Sequence, residues 1–165
     1  MTSDPHPNTQ LIEQFYASFA KRDFAGMCAC YSPEIEFTDP VFTTLHGKRA
    51  CAMWHMLCDS GRDLAISFKD VSADDRTGKA HWEAIYTFSA TGRDVHNILE
   101  AEFEFKDGLI IRHRDRFNFW RWSHLALGPA GTFLGWTPLI RDRVRKTAAH
   151  NLGKFIARHP EYQEK

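Results

Sequence analysis

Two ionisable side chains two residues apart, His113 and Asp115, stand on the same face of an alternating run with Leu109, Ile111, Phe117 and Phe119. An imidazole beside a carboxylate on an apolar face is a pair able to take up and hand on a proton, because burial moves such groups toward neutrality unless hydrogen bonds hold them. A third candidate is Asp39, which closes a short alternating run after Ile35 and Phe37 and falls by parity on their apolar side. General acid–base chemistry is what these three residue types can do together. No nucleophile elbow, phosphate loop or metal-ligand triad competes with them in the sequence. A His/Asp metal site made from His113, Asp115 and Asp39 is the one alternative use of the same side chains.

The element that positions the pair is a long hairpin, His96 to Phe119, folded at Asp107-Gly108. Its first arm alternates Val95, Asn97, Leu99, Ala101, Phe103 and Phe105 against His96, Ile98, Glu100, Glu102 and Glu104. Its second arm sets Arg112, Arg114 and Arg116 opposite the face that carries His113. Matching the faces requires a three-residue loop, Lys106-Asp107-Gly108, which pairs Phe105 with Leu109 and Phe103 with Ile111. The same register places Glu102 against Arg112 outside, and His113 opposite Ala101 and Asp115 opposite Leu99 inside.

The rest of the chain supplies what such a hairpin curls around. Apolar positions Leu11, Ile12, Phe15, Tyr16 and Phe19 recur at helical spacing after a cap at Asn8 or Thr9. Residues 1–7 before it are expected to be a disordered lead-in. A second helix follows Asp23 with Phe24, Met27, Cys28 and Tyr31, stopped by Pro33. The strand Glu34–Thr38 comes next, then a third helix from Gly47 to about Asp59 with Ala50, Met53, Trp54 and Leu57 buried. Strands at Leu64–Lys69 and Trp82–Phe88 precede the hairpin. A turn at Gly92-Arg93 pairs Tyr86 with Leu99. After the hairpin come a short helix near Trp120–Leu127, a Gly/Pro loop at Gly128–Pro138, and an amphipathic helix over 139–157 on Ile140, Val144, Ala148, Leu152 and Phe155.

With 165 residues, 43% of them apolar, the chain is long enough for one well-filled core. The formal charge is zero, which excludes a global field favouring nucleic acid or an anionic membrane. Cys28, Cys30, Cys51 and Cys58 form no CxxC pair and no zinc spacing, and the start lacks the regions of a signal peptide. A cytoplasmic protein with reduced thiols is expected.

This order of elements resembles the nuclear transport factor 2-like superfamily, and within it the SnoaL-like polyketide cyclase and ketosteroid isomerase branch. Three stretches carry the resemblance: Glu36-Phe-Thr-Asp-Pro-Val-Phe42, Gly47-Lys-Arg-Ala50, and Asp107-Gly-Leu-Ile-Ile-Arg-His-Arg-Asp-Arg-Phe-Asn118. It implies an α+β fold, a cone-shaped, curved, mixed or antiparallel sheet wrapped on the N-terminal helices, over residues 8–127. Residues 128–165 would be a C-terminal extension of the same domain. It also implies that Asp39 lies where ketosteroid isomerases keep a proton-shuttling Asp, and that Asp115 lies where SnoaL-like cyclases keep an acid–base Asp. The chain departs from the isomerases at the oxyanion hole. Phe15 stands at the position of their Tyr, with Tyr16 about 100° further round the helix, and Ala101 falls near the position of their second acid.

Two functions follow as expectations. The first is a cofactor-independent, metal-free enzyme of proton-transfer type, isomerase, cyclase or dehydratase-like, acting on an apolar carbonyl or polycyclic compound. Asp39, His113 and Asp115 would be catalytic, and Tyr16, Trp54, Trp82, Tyr86, Leu99 and Phe117 would line the pocket. The second is a non-catalytic ligand-binding or homodimeric assembly module. An open cone with the carboxylates at its base favours the first, and an interior filled by side chains favours the second. Phe133, Leu134 and Trp136, in a loop too apolar to be left in water, point to a homodimer in either case.

Overall fold

The computed structural model describes residues 4–164. Six strands form one sheet in the order β2-β1-β6-β5-β4-β3, with β1 (Tyr31–Thr38), β2 (Leu45–His46), β3 (Ala65–Ala73), β4 (Thr77–Phe88), β5 (Arg93–Lys106) and β6 (Leu109–Arg116). All neighbours are antiparallel except β1 and β6, so the sheet is mixed. Three helices pack on its concave side: α1 (Pro7–Ala20), α2 (Phe24–Ala29) and α3 (Lys48–Ser60). Ile12, Phe15, Tyr16 and Phe19 of α1 are at most 2% exposed and face Phe37, Trp54, Trp82, Leu99 and Phe103 across one aromatic core. Burying four such side chains contributes on the order of 1.5–3 kcal/mol each, so the α1 face anchors the sheet's curvature. The expected α+β arrangement is the one the chain adopts.

Several sequence expectations change in detail. The β5–β6 hairpin closes through a two-residue turn, Asp107-Gly108, with φ of 53° and 76°, rather than a three-residue loop. A bulge between Glu104 and Phe105 on one arm and Ile110 and Arg112 on the other restores the parity. Beyond the bulge His113 and Asp115 therefore keep their inward face but change partner, while between the turn and the bulge the face of β6 is inverted. His113 pairs with Phe103 and Asp115 with Ala101, and Ile110 is buried in place of Ile111. On the outer face Arg112 bonds Glu104 at 2.8 Å and Arg116 bonds Glu102 at 3.2 Å, so the Glu102–Arg112 pair is not formed. The β4–β5 connection is a four-residue loop, Ser89–Gly92, that sets Tyr86 against Val95 and Trp82 against Leu99.

The N-terminal region also differs. His6, not Asn8 or Thr9, caps α1 by accepting from the Asn8 N–H through Nδ1. Of the expected lead-in, residues 1–3 lie outside the described residues, and Pro7 already belongs to α1. The second helix stops at Ala29, and Tyr31 opens strand β1. An irregularity in the β1–β6 pairing between Tyr31 and Glu36 accommodates Pro33, which has no N–H to give to a ladder.

After the sheet the chain makes α4 (Phe119–Leu127), α5 (Pro129–Leu134), α6 (Pro138–Ala157) and a 3-10 turn at Pro160–Tyr162. The Gly/Pro stretch is thus largely a short helix, begun by Pro129 at a position where a missing N–H costs nothing. Phe119, Trp122 and Ala126 of α4 form a second core with Val95, against which Val41, Tyr86, Phe117, Ile140 and Val144 pack. Leu152 of α6 is fully buried in the main core. Among the described residues no helix is long and apolar enough to cross a membrane.

The close approach of α4 and α5 depends on Gly131, because a Cβ there would collide with the Ser123 carbonyl. Gly131→Ala is expected to lower stability by about 1–3 kcal/mol in chemical denaturation, the usual cost of overpacking; an unchanged midpoint would show that the two helices can separate freely.

Candidate active site

The sheet brings His113 to the middle of the core, where strand alternation aims it inward and the rings of Phe15, Phe37, Trp54 and Phe103 surround it with centroids 4.4–6.0 Å away. His113 is 0% and Asp115 2% exposed. Buried polar groups in such a place must find partners, and a continuous chain of hydrogen bonds supplies them. Trp54 Nε1–H donates to Tyr31 Oη at 2.9 Å. Tyr31 Oη meets His113 Nδ1 at 2.7 Å. His113 Nε2 meets Asp115 Oδ1 at 3.0 Å, and Trp82 Nε1–H donates to the same oxygen at 3.1 Å. Donors and acceptors balance along this chain if Tyr31 donates its proton to Nδ1 and His113 donates Nε2–H to the carboxylate. Both ring nitrogens are then engaged, so His113 has no lone pair for a metal. The His113/Asp115/Asp39 metal alternative does not fit this arrangement.

Tyr31 is the member that the sequence reading missed. Its spacing from Met27 and Cys28 suits a helix, and only the strand that follows places its hydroxyl beside His113. Burial and the nearby charge of Asp115 push the Tyr31 phenol well above the ordinary range, offset in part by the Trp54 bond.

Asp39 sits at the end of β1 in a turn of its own making. Its Oδ1 accepts from the Val41 and Phe42 N–H groups at 2.7 and 2.6 Å, and its own N–H donates to the Phe42 carbonyl at 2.9 Å. Desolvation outweighs those bonds and raises its carboxyl to about 7, with the Asp115 charge adding to the rise and Arg145 opposing it. Arg145 of α6 is fixed nearby by donating Nε–H to the Pro40 carbonyl at 3.0 Å. Tyr86, whose hydroxyl accepts from Trp122 Nε1–H at 2.8 Å, is raised by burial and by Asp39. Asp39 is therefore half-buried beside α6 and the α4 cluster, whereas Asp115 is buried in the main core.

The predicted lining residues divide between these two levels. Tyr16, Trp54, Trp82 and Leu99 belong to the inner core, with Tyr16 and Trp54 5.7 and 6.4 Å from Trp82 between ring centroids. Tyr86 and Phe117 are half-buried and touch both the inner core and the α4 cluster. Tyr16 and Asp115 share one further property: Tyr16 Oη and Asp115 Oδ2 are buried with no hydrogen-bond partner among the described residues. The Tyr16 phenol is held well above its ordinary range by burial and by the Asp115 charge. Around His113 the interior is filled by aromatic rings rather than open. Two surface hollows of ≈ 580 and ≈ 340 Å³ lie elsewhere, one beside Glu102, Glu104, Arg112 and Arg114, the other beside Phe42, Arg49 and Arg145, and neither is lined by Asp39, His113 or Asp115.

Two outcomes follow from this geometry. Tyr31→Phe leaves the Trp54 N–H and His113 Nδ1 unpaired and is expected to cost about 2–4 kcal/mol in urea unfolding; a loss well under 1 kcal/mol would mean that the chain of bonds is not formed. Asp39 holds its proton more tightly folded than unfolded, so the unfolded chain releases it first as the pH rises. Its contribution is greatest below about pH 4, declines through the window from about 4 to 7, and is level above. Asp39→Asn keeps an acceptor for Val41 and Phe42 and cannot ionise. Its stability relative to the parent is therefore expected to rise by about 1–3 kcal/mol between pH 4.5 and 7.5; a difference that stays constant across that window would contradict the raised value.

Comparison with known proteins agrees with this architecture. Residues 12–113 match the model of the SnoaL-like domain. No curated protein matches the chain. Among solved structures, a proposed SnoaL-like polyketide cyclase from Jannaschia sp. CCS1 superposes with a TM-score of 0.67 at 11% identity, covering 78% of this chain and 97% of that one. TerC, crystallised with polyporic acid, gives 0.62 at 18% identity over 73% and 98%. An LEH-like epoxide hydrolase of M. tuberculosis gives 0.60 at 17% over 84% and 98%. At these identities the structural likeness shows the nuclear transport factor 2-like fold, while the domain match spans more than half of the chain. The chain belongs to the SnoaL-like domain family.

Proposed function

We propose that the protein is a cofactor-independent enzyme of proton-transfer type acting on an apolar carbonyl or polycyclic compound. The observation that carries this reading is that two of the three buried side-chain polar atoms without a partner among the described residues, Tyr16 Oη and Asp115 Oδ2, belong to the main aromatic core, the third being Ser123 Oγ on α4. A phenol O–H and a carboxylate oxygen left over in such surroundings suit one small oxygen-bearing ligand, since unsatisfied buried groups are costly to keep. Asp39, with a carboxyl near 7, suits a general base, which works best when its pKa lies close to the working pH. In the forward step Asp39 takes a proton from a carbon beside the substrate carbonyl and returns it to another atom of the same compound, so no external oxidant or reductant is needed. His113 and Tyr31 hold Asp115 in place. The likeness to a polyketide cyclase candidate and to a protein crystallised with polyporic acid supports this class of ligand.

A second reading is favoured by a specific feature: the filled interior around His113. Under it the protein binds a ligand without turnover, or forms a homodimer through the α5 region. Phe133, Trp136 and Leu139 are 70–72% exposed there, beside half-exposed Leu134 and Trp120.

The test is proton–deuterium exchange, followed by NMR, in a panel of polycyclic carbonyl compounds, beside thermal melting. Asp39→Asn and Asp115→Asn are expected to abolish exchange while Asp39→Asn melts at or above the parent temperature. If both variants melt well below the parent and ligand binding is unchanged, the carboxylates are scaffold and the enzyme reading fails. Light scattering is expected to give a dimer at micromolar concentration that Trp136→Glu converts to a monomer; a monomeric parent would remove the assembly role from α5.

A further inference from the structure

Far from the cone's interior, the end of the chain folds back on α3 and brings together three metal-ligating side chains from distant positions. His55 lies on α3, His159 follows α6, and Glu161 sits in the terminal 3-10 turn. One donor atom from each can be chosen so that all three lie within 4.8 Å of one another. Donors around a tetrahedral ion at about 2.0–2.1 Å stand about 3.4 Å apart, so the set must draw in on binding, and Glu161, which is exposed, is the member freest to move.

The surroundings prepare these donors for an ion. His159 Nδ1–H donates to the Phe155 carbonyl at 2.8 Å, and because a carbonyl can only accept, this fixes the tautomer and leaves Nε2 with its lone pair. His55 Nδ1 meets the Tyr162 hydroxyl at 2.9 Å, which lets the phenol oxygen take Nδ1–H while Nε2 stays available. Such an outer bond on the far nitrogen is how proteins orient ligating histidines. Phe24 stacks on the His55 ring at 3.5 Å and Phe155 on the His159 ring at 3.9 Å, so neither imidazole rotates freely. Asp59, one turn after His55 on α3, places Oδ2 3.4 Å from His55 Nε2 and can serve as a fourth donor, through oxygen. Two neutral imidazoles and two carboxylates around a divalent ion sum to no net charge.

We propose that His55, His159 and Glu161 bind a divalent transition metal of the zinc class, which fastens the end of α6 and the terminal turn to α3. Mixed imidazole and carboxylate donors suit Zn²⁺, Co²⁺ or Ni²⁺ and do not suit Mg²⁺. The experiment uses the full chain without a histidine tag, Zn²⁺ alone in calorimetry, and Co²⁺ alone in absorption spectroscopy. One equivalent of Zn²⁺ is expected to bind, with Co²⁺ giving d–d bands of tetrahedral intensity and Zn²⁺ raising the melting temperature. Glu161→Gln, at an exposed position, and His159→Gln are each expected to weaken binding at least tenfold, while metal-free Glu161→Gln melts like the parent. His81→Gln, in the separate His/Glu cluster on the outer sheet face, is expected to leave affinity unchanged. Absence of saturable binding, or binding that survives both Glu161→Gln and His159→Gln, would overturn the proposal.

Discussion

The bond between the Tyr31 hydroxyl and His113 Nδ1 governs much of what else the core can be. An imidazole fully removed from water has two nitrogens to satisfy, and each must be met by a group of the right sense. Tyr31 meets one and Asp115 the other, and the two tryptophans, Trp54 and Trp82, satisfy the outer ends. The five members come from four elements, Tyr31 from β1, His113 and Asp115 from β6, Trp54 from α3 and Trp82 from β4. The parallel β1–β6 pairing, the docking of α3 on the sheet and the inward parity of β6 must therefore all be in place for the chain of bonds to close. That mutual dependence makes a polar core residue a specifier of one packing, the condition under which buried polar networks are tolerated.

The family relationship and the geometry bear on different questions. Membership of the SnoaL-like domain family and the nuclear transport factor 2-like fold establish a scaffold, and one scaffold can host several chemistries. In this chain the two candidate carboxylates stand in unlike surroundings. Asp39 sits in a self-made turn beside α6, raised by desolvation, whereas Asp115 lies inside with one oxygen held twice and the other without a partner among the described residues. Two carboxylates in unlike environments are the usual arrangement for dividing acid and base roles. The C-terminal helices add a constraint of their own. They cover Val41, Tyr86 and Phe117, so entry of a ligand on that side requires α4 and α6 to yield.

Strand parity makes His113 and Asp115 legible as inward residues from the sequence, because a period of two leaves only one choice of face once the phenylalanines are assigned. Cross-strand partners were not legible. A three-residue loop and a two-residue turn followed by a bulge both restore the same parity for His113 and Asp115, yet they differ by two positions in every pair beyond the bulge, and alternation cannot tell them apart. Tyr31 was hidden for a related reason: Met27, Cys28 and Tyr31 are spaced as a helix would space them, and the chain leaves the helix only at Cys30. The helix in the Gly/Pro stretch was masked by its glycines, of which Gly131 is there for close packing rather than for a turn. His55, His159 and Glu161 carry no local signature, since only the return of α6 onto α3 joins them.

Carbon-13 NMR titration of the Asp39 side-chain carboxyl, raised by desolvation and further by the Asp115 charge, is the most direct test. A midpoint near 7 is expected in the parent and a lower one in Asp115→Asn, where the neighbouring negative charge is gone. A midpoint near that of an ordinary aspartate, unmoved by the Asp115 substitution, would contradict the raised value.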